Sequence, residues 1–231
     1  VSGNLSAITD ANNGVITLDQ LAVDGTVAMT TNGSGNATVV NDAALNLAAS
    51  TVGGALSATA TTGNMTDSGN VTVAGTSTFT TSANNATITL DRTNALAGAV
   101  SLNTTGSSGN ARIHNGTTAL NIGATSVGGR LTLRTGNNIT DSGTVTSRTL
   151  IAITDANNGS ITLDNLAADE GIHLNTHGTG NATAVNDAGF VFGGFGSTVG
   201  GNLSVTATTG NIRDNNDGRV TVAGTSSFTT S

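Results

Sequence analysis

Two stretches of the chain place oxygen-bearing side chains at alternate positions ahead of a glycine: Asp10-Ala11-Asn12-Asn13-Gly14 and Asp155-Ala156-Asn157-Asn158-Gly159. A calcium loop begins this way, so Asp10, Asn12, Asp155 and Asn157 are candidate ligands. No bidentate Glu follows at the required distance, and no Gly-Gly-x-Gly-x-Asp nonapeptide occurs. The competing assignment is an Asx turn with no cofactor at all. Cationic groups are as sparse, with seven Arg, no Lys and three His. Arg112, His114, Arg130, Arg134, Arg148, His173 and His177 are the candidates for binding an anion, a glycan or a partner surface. Phe195, between Gly194 and Gly196, is a candidate exposed aromatic contact. His173 and His177 stand four apart, which does not by itself make a metal site.

Catalysis finds no constellation. Cysteine is absent, which removes thiol chemistry, zinc knuckles and disulfides together. Cleavage of a polysaccharide would need two or three converging carboxylates, typically beside one unrepeated loop. Here Asp67-Ser68-Gly69 returns as Asp141-Ser142-Gly143, and Asp42 returns as Asp187 in matching Val-Asn-Asp segments. Recurrence in step with the chain's own period points to a structural duty, so no enzymatic activity is expected.

The elements that carry these residues follow from composition. Thr occurs 43 times, Asn 28 and Gly 32, while Pro, Trp and Tyr are absent and Glu occurs once. Strong surface helix formers are missing, whereas Thr, Val and Ile suit pleated surfaces and Gly and Asn suit tight turns. An all-β chain with a thin core of small aliphatics is expected. The net charge of -7 and the two missing ingredients, a dense basic face and interleaved aromatics, argue against a nucleic-acid groove. No apolar run approaches the roughly 18 residues that span a bilayer, so no membrane insertion is expected.

Internal repetition organises the rest. Residues 8–45 return at 153–190, a shift of 145. TVGGALSATATTGN (51–64) returns as TVGGNLSVTATTGN (198–211), and GNVTVAGTSTFTTS returns as GRVTVAGTSSFTTS. Their shifts of 147 and 149 require short insertions near Phe195 and Asn216. Strand starts near residues 4, 26, 55, 77, 99, 130, 149, 171, 202 and 226 give about ten coils of roughly 19–31 residues. Three coils make a unit of about 72 residues and six make a repeat of about 145. Residues 1–231 are thus expected to form a single segment of a longer array.

Alternating apolar and small polar residues within each coil imply one buried and one exposed face. Because equivalent strands recur at short intervals, they can stack parallel and in register, which predicts a right-handed parallel β-helix, or β-solenoid. Asn at the turns, among them Asn13, Asn36, Asn64, Asn85, Asn110, Asn158 and Asn181, is expected to stack in side-chain amide ladders. The chain enters and leaves in mid-repeat, without the atypical coils that cap such arrays, so a longer chain or end-to-end stacking is expected.

The wording of the coils, with VGGNLSVTATTGN, GNVTVAGTSTFTTS and LDQLAVDGTVAM as examples, resembles the repeat regions of filamentous-haemagglutinin-like adhesins and related giant bacterial surface proteins. The resemblance runs over essentially the whole chain. It implies a right-handed parallel β-helix, an extracellular or cell-surface location, and an adhesive or fibre-forming role. Those families carry their secretion signature in a separate N-terminal domain, and nothing here matches it. No catalytic residues come with the resemblance.

The expected function is a structural rod or fibre segment of an extracellular surface protein. One alternative is a module that binds a surface glycan, a receptor or a partner rod. It would use the residues that break the repeat: Arg112, His114, Arg130, Arg134 and Arg148 on adjacent rungs, His173 and His177 where the earlier copy has Ala28 and Asn32, and the Phe195 loop. Phe190 and Phe192 stand where the earlier copy has Leu45 and Leu47, which suits inward core positions. The other alternative is an ice-binding solenoid using Thr-x-Thr pairs such as Thr59/Thr61 and Thr206/Thr208, although these fall in different strands.

Overall fold

The computed structural model describes residues 2–215 and 218–231, so Asn216, beside one expected insertion, lies outside the described residues. The described chain is all-β, with strands joined in one continuous sheet and every pairing parallel. The strands stack into a β-solenoid of about 11 turns. At roughly 4.8 Å per turn the stack is about 50 Å long.

Two ladders define the winding. One runs Ile16, Ala37, Leu56, Ser77, Val100, Ile122 and Asp141, each paired with the next. A second runs Leu45, Met65, Ile88, Ala111, Leu131, Leu150, Ile172 and Phe192. The interval between successive members, as from Ala37 to Leu56 or from Ser77 to Val100, is the length of one turn. The longer spacings in the sequence are a turn plus a step between ladders: Thr26 pairs with Asn46, whereas Leu56 pairs with Ala37. Strands on different sides of a coil share the same alternating wording, so sequence periodicity alone merges them, and the turn count rises from about ten to about eleven.

Period-two alternation puts every second residue inside. Strand Leu56–Ala60 buries Leu56, Ala58 and Ala60, and strand Ala37–Asn41 buries Ala37, Val39 and Asn41. The inward residues merge into one apolar column from Ile16 to Ala207, built mostly of Val, Leu, Ile and Ala. Phe79, Phe190 and Phe192 are the aromatic members, so the two Leu-to-Phe replacements are indeed in the core. Burying each large aliphatic side chain contributes about 1.5–3 kcal/mol, and no cross-link supplements it.

The corners are where the sequence is most specific. At the Val-Gly-Gly corners, the place of a Cβ on Gly53 is occupied by the carbonyl of Gly33, that on Gly128 by Gly106, and that on Gly200 by Gly178. Only glycine lets consecutive turns approach so closely. Among the described residues the corner Asn side chains do not form the expected amide ladders. Instead, the Oδ1 atoms of Asn36, Asn110 and Asn181 accept the backbone N–H of Ala55, Arg130 and Asn202 on the next turn, at 2.7, 2.7 and 2.8 Å. The next turn presents an N–H at that place whatever its side chain, so the bond is side chain to backbone. Asn13, Asn85 and Asn158 adopt φ of 59°, 61° and 69°, a left-handed conformation Asn tolerates, and brace Ser34, Ser108 and Thr179 in the same way.

A second bracket is buried. Asn41 accepts the N–H of Val23 at 2.9 Å and donates to the carbonyls of Val23 and Ala44. Asn186 repeats this with Ala168 and Gly189, and Asn115 with Leu96, Thr118 and Ala119. Each is fully buried with its amide satisfied, so the polar group is retained inside at little cost.

Candidate functional site

The winding sorts the repeat-breaking residues into two groups on strands Ala111–His114, Thr125–Thr135, Val145–Asn157 and Gly171–His177. In the first group, His114 pairs with Arg134 across the ladder, and Arg134 with Ile153. Asp155 lies within reach of both side chains: Arg134 Nε donates to its Oδ2 at 2.6 Å, and His114 Nε2 is 3.8 Å from the same oxygen. Asp155 thus has an ion-pair partner within its own chain. In the earlier copy Asp10 and Asn12 are exposed, and the Asp10 carbonyl accepts from Asn32 Nδ2 at 3.1 Å. The side chain of Asn157 lies outside the described residues. No group of three or more His, Cys, Asp or Glu suited to a metal is present among the described residues.

The second group is Arg112, Arg130, Arg148 and Phe195. Arg112 pairs with Thr89 and Thr132, and Arg130 with Thr149 on the following turn. Arg130 and Arg134 share one strand, which pairs with the strand of Arg112 and His114 on one side and with that of Arg148 on the other, so these residues do lie on adjacent rungs. Arg130, Arg148, Thr149 and Phe195 line a shallow hollow of about 340 Å³ together with Ser107, Ser108 and Asn110. An adjoining hollow of about 220 Å³ is lined by Arg112 and shares Asn110 and Arg130. Arg148 Nε is 3.0 Å from Glu170 Oε2, the single Glu of the chain, with both side chains half-exposed.

The histidines separate. His173 occupies an outward position of its strand, yet it is only 2% exposed, so this candidate binding residue is not open to solvent. The loop around Phe195 covers it: the rings meet edge to face with centroids 5.4 Å apart, and Phe195 is itself 73% exposed. Gly194 and Gly196 flank Phe195 with φ of 47° and 73°, and the Phe195 N–H closes a tight turn onto the Gly193 carbonyl at 2.7 Å. Burial pushes the His173 imidazole below its ordinary pKa, opposed by a backbone hydrogen bond at Gly196, and Nδ1 has no partner. His177 is exposed at the corner, and its Nδ1 lies 2.6 Å from the Thr154 carbonyl oxygen. A buried His173 and a corner His177 do not converge on a common ligand.

The recurring carboxylates have the same job in each copy. Asp67 accepts the N–H of Asp91 at 3.0 Å and the Nδ2 of Asn94 at 2.8 Å, and Asp141 accepts the N–H of Asp164 and Asn165 at 3.1 and 2.9 Å. Burial raises the Asp141 carboxyl, the backbone hydrogen bonds lower it, and the neighbouring Asp164 carboxylate raises it further. Two shallow grooves that sequence reasoning misses also recur, one beside Asp19 and Asp42 and the other beside Asp164 and Asp187. Their signal is present in the shift of 145 that relates both pairs. The Thr-x-Thr candidates stand in mixed ranks: Thr59 lies between Val40 and Thr80, and Thr89 between Thr66 and Arg112.

Comparison with known proteins adds one relationship. The sequence model of a family described as repeats of unknown function (DUF5649) matches residues 34–103, 108–175 and 179–231. Each full match covers about three turns of the winding, and the next begins within a few positions of its end. No curated protein and no solved structure matches the chain.

Proposed function

The chain belongs to the DUF5649 family of repeats, and we propose that its solenoid serves as a structural rod segment of an extracellular, adhesin-like or filament-forming surface protein, without catalytic activity. The observation that carries this reading is the continuous parallel pairing, interrupted only by local bulges, which runs turn by turn from Leu5 to Thr230 with one apolar column inside it. Such a stack resists axial tension well, because separating two turns loads many backbone hydrogen bonds together. Bracketing side chains add to that resistance, since each corner Asn ties its turn to the next. The succession of family matches supports the three-turn unit as the element repeated along the rod. The resemblance of the coil wording to filamentous-haemagglutinin-like repeats supports the surface location and adhesive setting. The mixed ranks around Thr59 and Thr89 suit a rod wall better than the uniform hydroxyl lattice an ice-binding face requires.

Electron microscopy of the native protein at high dilution tests the proposal. Uniform rods many times longer than about 50 Å, with a constant width, are expected. Short isolated particles would overturn the rod reading.

A further inference from the structure

The repeat is regular enough for its exceptions to be compared with their copies, and the strongest exceptions fall on one face. After the Val-Gly-Gly corner, two copies continue with Ala55 and Asn202, whereas the third continues with Arg130. Its aim is set by a bulge: Val127 pairs with Ser147 and Arg130 with Thr149, so Gly128 and Gly129 together face the single residue Arg148. Bulges of this kind redirect a side chain and mark functional edges. Arg112 lies on the turn before, at a ladder position held by Thr on both sides. The insertion then brings Phe195 back over the same hollow from three turns beyond Arg130.

Charge distinguishes this face from the rest of the rod. Its two hollows hold Arg112, Arg130 and Arg148 with no carboxylate among their lining residues, whereas the recurring grooves are lined by Asp19 and Asp42 or by Asp164 and Asp187. Among the described residues Arg134 pairs with Asp155 and Arg148 with Glu170, while Arg112 and Arg130, like Arg92, Arg213 and Arg219 elsewhere, form no ion pair. Two free guanidinium groups on a chain of net charge -7 are a local inversion of sign. The planar guanidinium fork matches a carboxylate in two-point contact. An aromatic ring left 73% exposed beside hydroxyl and amide side chains offers an apolar platform of the kind the C–H face of a pyranose stacks on.

We infer that this face binds an extended polysaccharide bearing single carboxylates, a polyuronate, laid along the rod axis. Arg112 and Arg130 pair with carboxylates, Phe195 carries the apolar face of a sugar, and Ser107, Ser108 and Asn110 meet its hydroxyls. The turn spacing of about 4.8 Å is of the order of one pyranose, so a chain parallel to the axis advances one sugar per turn. A densely sulfated polymer fits less well, because the acidic rod repels it in proportion to its charge and only two or three guanidinium groups stand against that repulsion. The inference goes beyond the rod proposal and does not depend on it, since binding is read in solution and rod length by microscopy.

Calorimetric titration of the intact protein with an oligogalacturonate of defined length tests it, with circular dichroism confirming the fold of each variant. Wild type is expected to bind, with affinity falling as salt rises. Arg130→Gln and Arg112→Gln should each weaken binding about tenfold, and Phe195→Ala several-fold. Glu170→Gln should strengthen binding, because it releases Arg148 into the hollow. Arg134→Gln should bind as wild type does. The inference is overturned if the uncharged methyl ester binds equally well, if a sulfated polymer binds in preference and Arg130→Gln leaves that binding intact, or if the two arginine variants retain wild-type affinity.

Discussion

Residues 8–45 and 153–190 are two copies of one sequence wound on one scaffold, and what separates them is confined to a few side chains. The brackets are common to both: Asn41 holds the N–H of Val23, and Asn186 holds that of Ala168, both at 2.9 Å. Inside, Leu45 and Leu47 correspond to Phe190 and Phe192, all buried. Outside, the half-buried Ala28 corresponds to His173, buried beneath a loop that the first copy lacks. A turn of the solenoid is therefore obliged to keep the groups that tie it to its neighbours. Its outward positions answer only to the residues directly beside them. Chemistry can collect there without disturbing the ladder, as it has around Arg130 and Phe195.

The largest effect should come from the corners both copies share. Gly53→Val and Gly200→Val each drive a side chain into a carbonyl of the preceding turn, and each should cost more than about 3 kcal/mol in urea unfolding. If one copy tolerated the change and the other did not, the scaffold would not be common to them. Next in size, Asn41→Ala and Asn186→Ala should each lose about 2 kcal/mol, because a buried N–H is left without an acceptor. Equal losses would confirm that the bracket is independent of the neighbouring core residue.

His173 separates the copies by pH. Its folded pKa lies below the ordinary 6.5, so the unfolded chain binds the additional proton first as pH falls. Stability should therefore decline on acidification from about 6.5 down to the lowered folded value, and be fully present above that window. Thermal melts across pH 8 to 5 should show this slope in wild type and lose it in His173→Ala, which restores the residue of the first copy. A slope unchanged in the variant would place its origin elsewhere.

Smaller still, Asp155→Asn should cost about 0.5 kcal/mol at low salt and less at high salt, since its ion pair with Arg134 is partly exposed. Asp10→Asn, at the corresponding place in the first copy, should change stability by less. Calcium at millimolar concentration is expected to leave the melting temperature unchanged. A rise abolished by Asp10→Asn would instead make that turn a ligand site.

Much of this was legible along the chain. Alternation in stretches such as Leu56–Ala60 marks an inward and an outward face, and the Val-Gly-Gly and Asn corners recur once in each three-turn unit. The number of turns was less legible, because strands on different sides of a coil carry interchangeable wording and only pairing tells Thr26 from Leu56. The buried brackets at Asn41, Asn115 and Asn186 were hidden for a related reason. An Asn inside and an Asn at a corner look alike until the backbone they hold is known.

The fold class was determined by the sequence itself, through short-range terms: a period of two set by strand pleating, corners that only glycine or left-handed Asn can turn, and a core too thin for any architecture but stacked coils. Which outward residues meet was decided by the tertiary structure. Arg130 and Phe195 are separated by three turns of chain, and a bulge and a short loop bring them to one hollow. Arg134 and Arg130 share one strand, yet one is neutralised by Asp155 and the other is free. Charge pairing and burial depend on distances across turns, which are set by register between strands rather than by order along the chain.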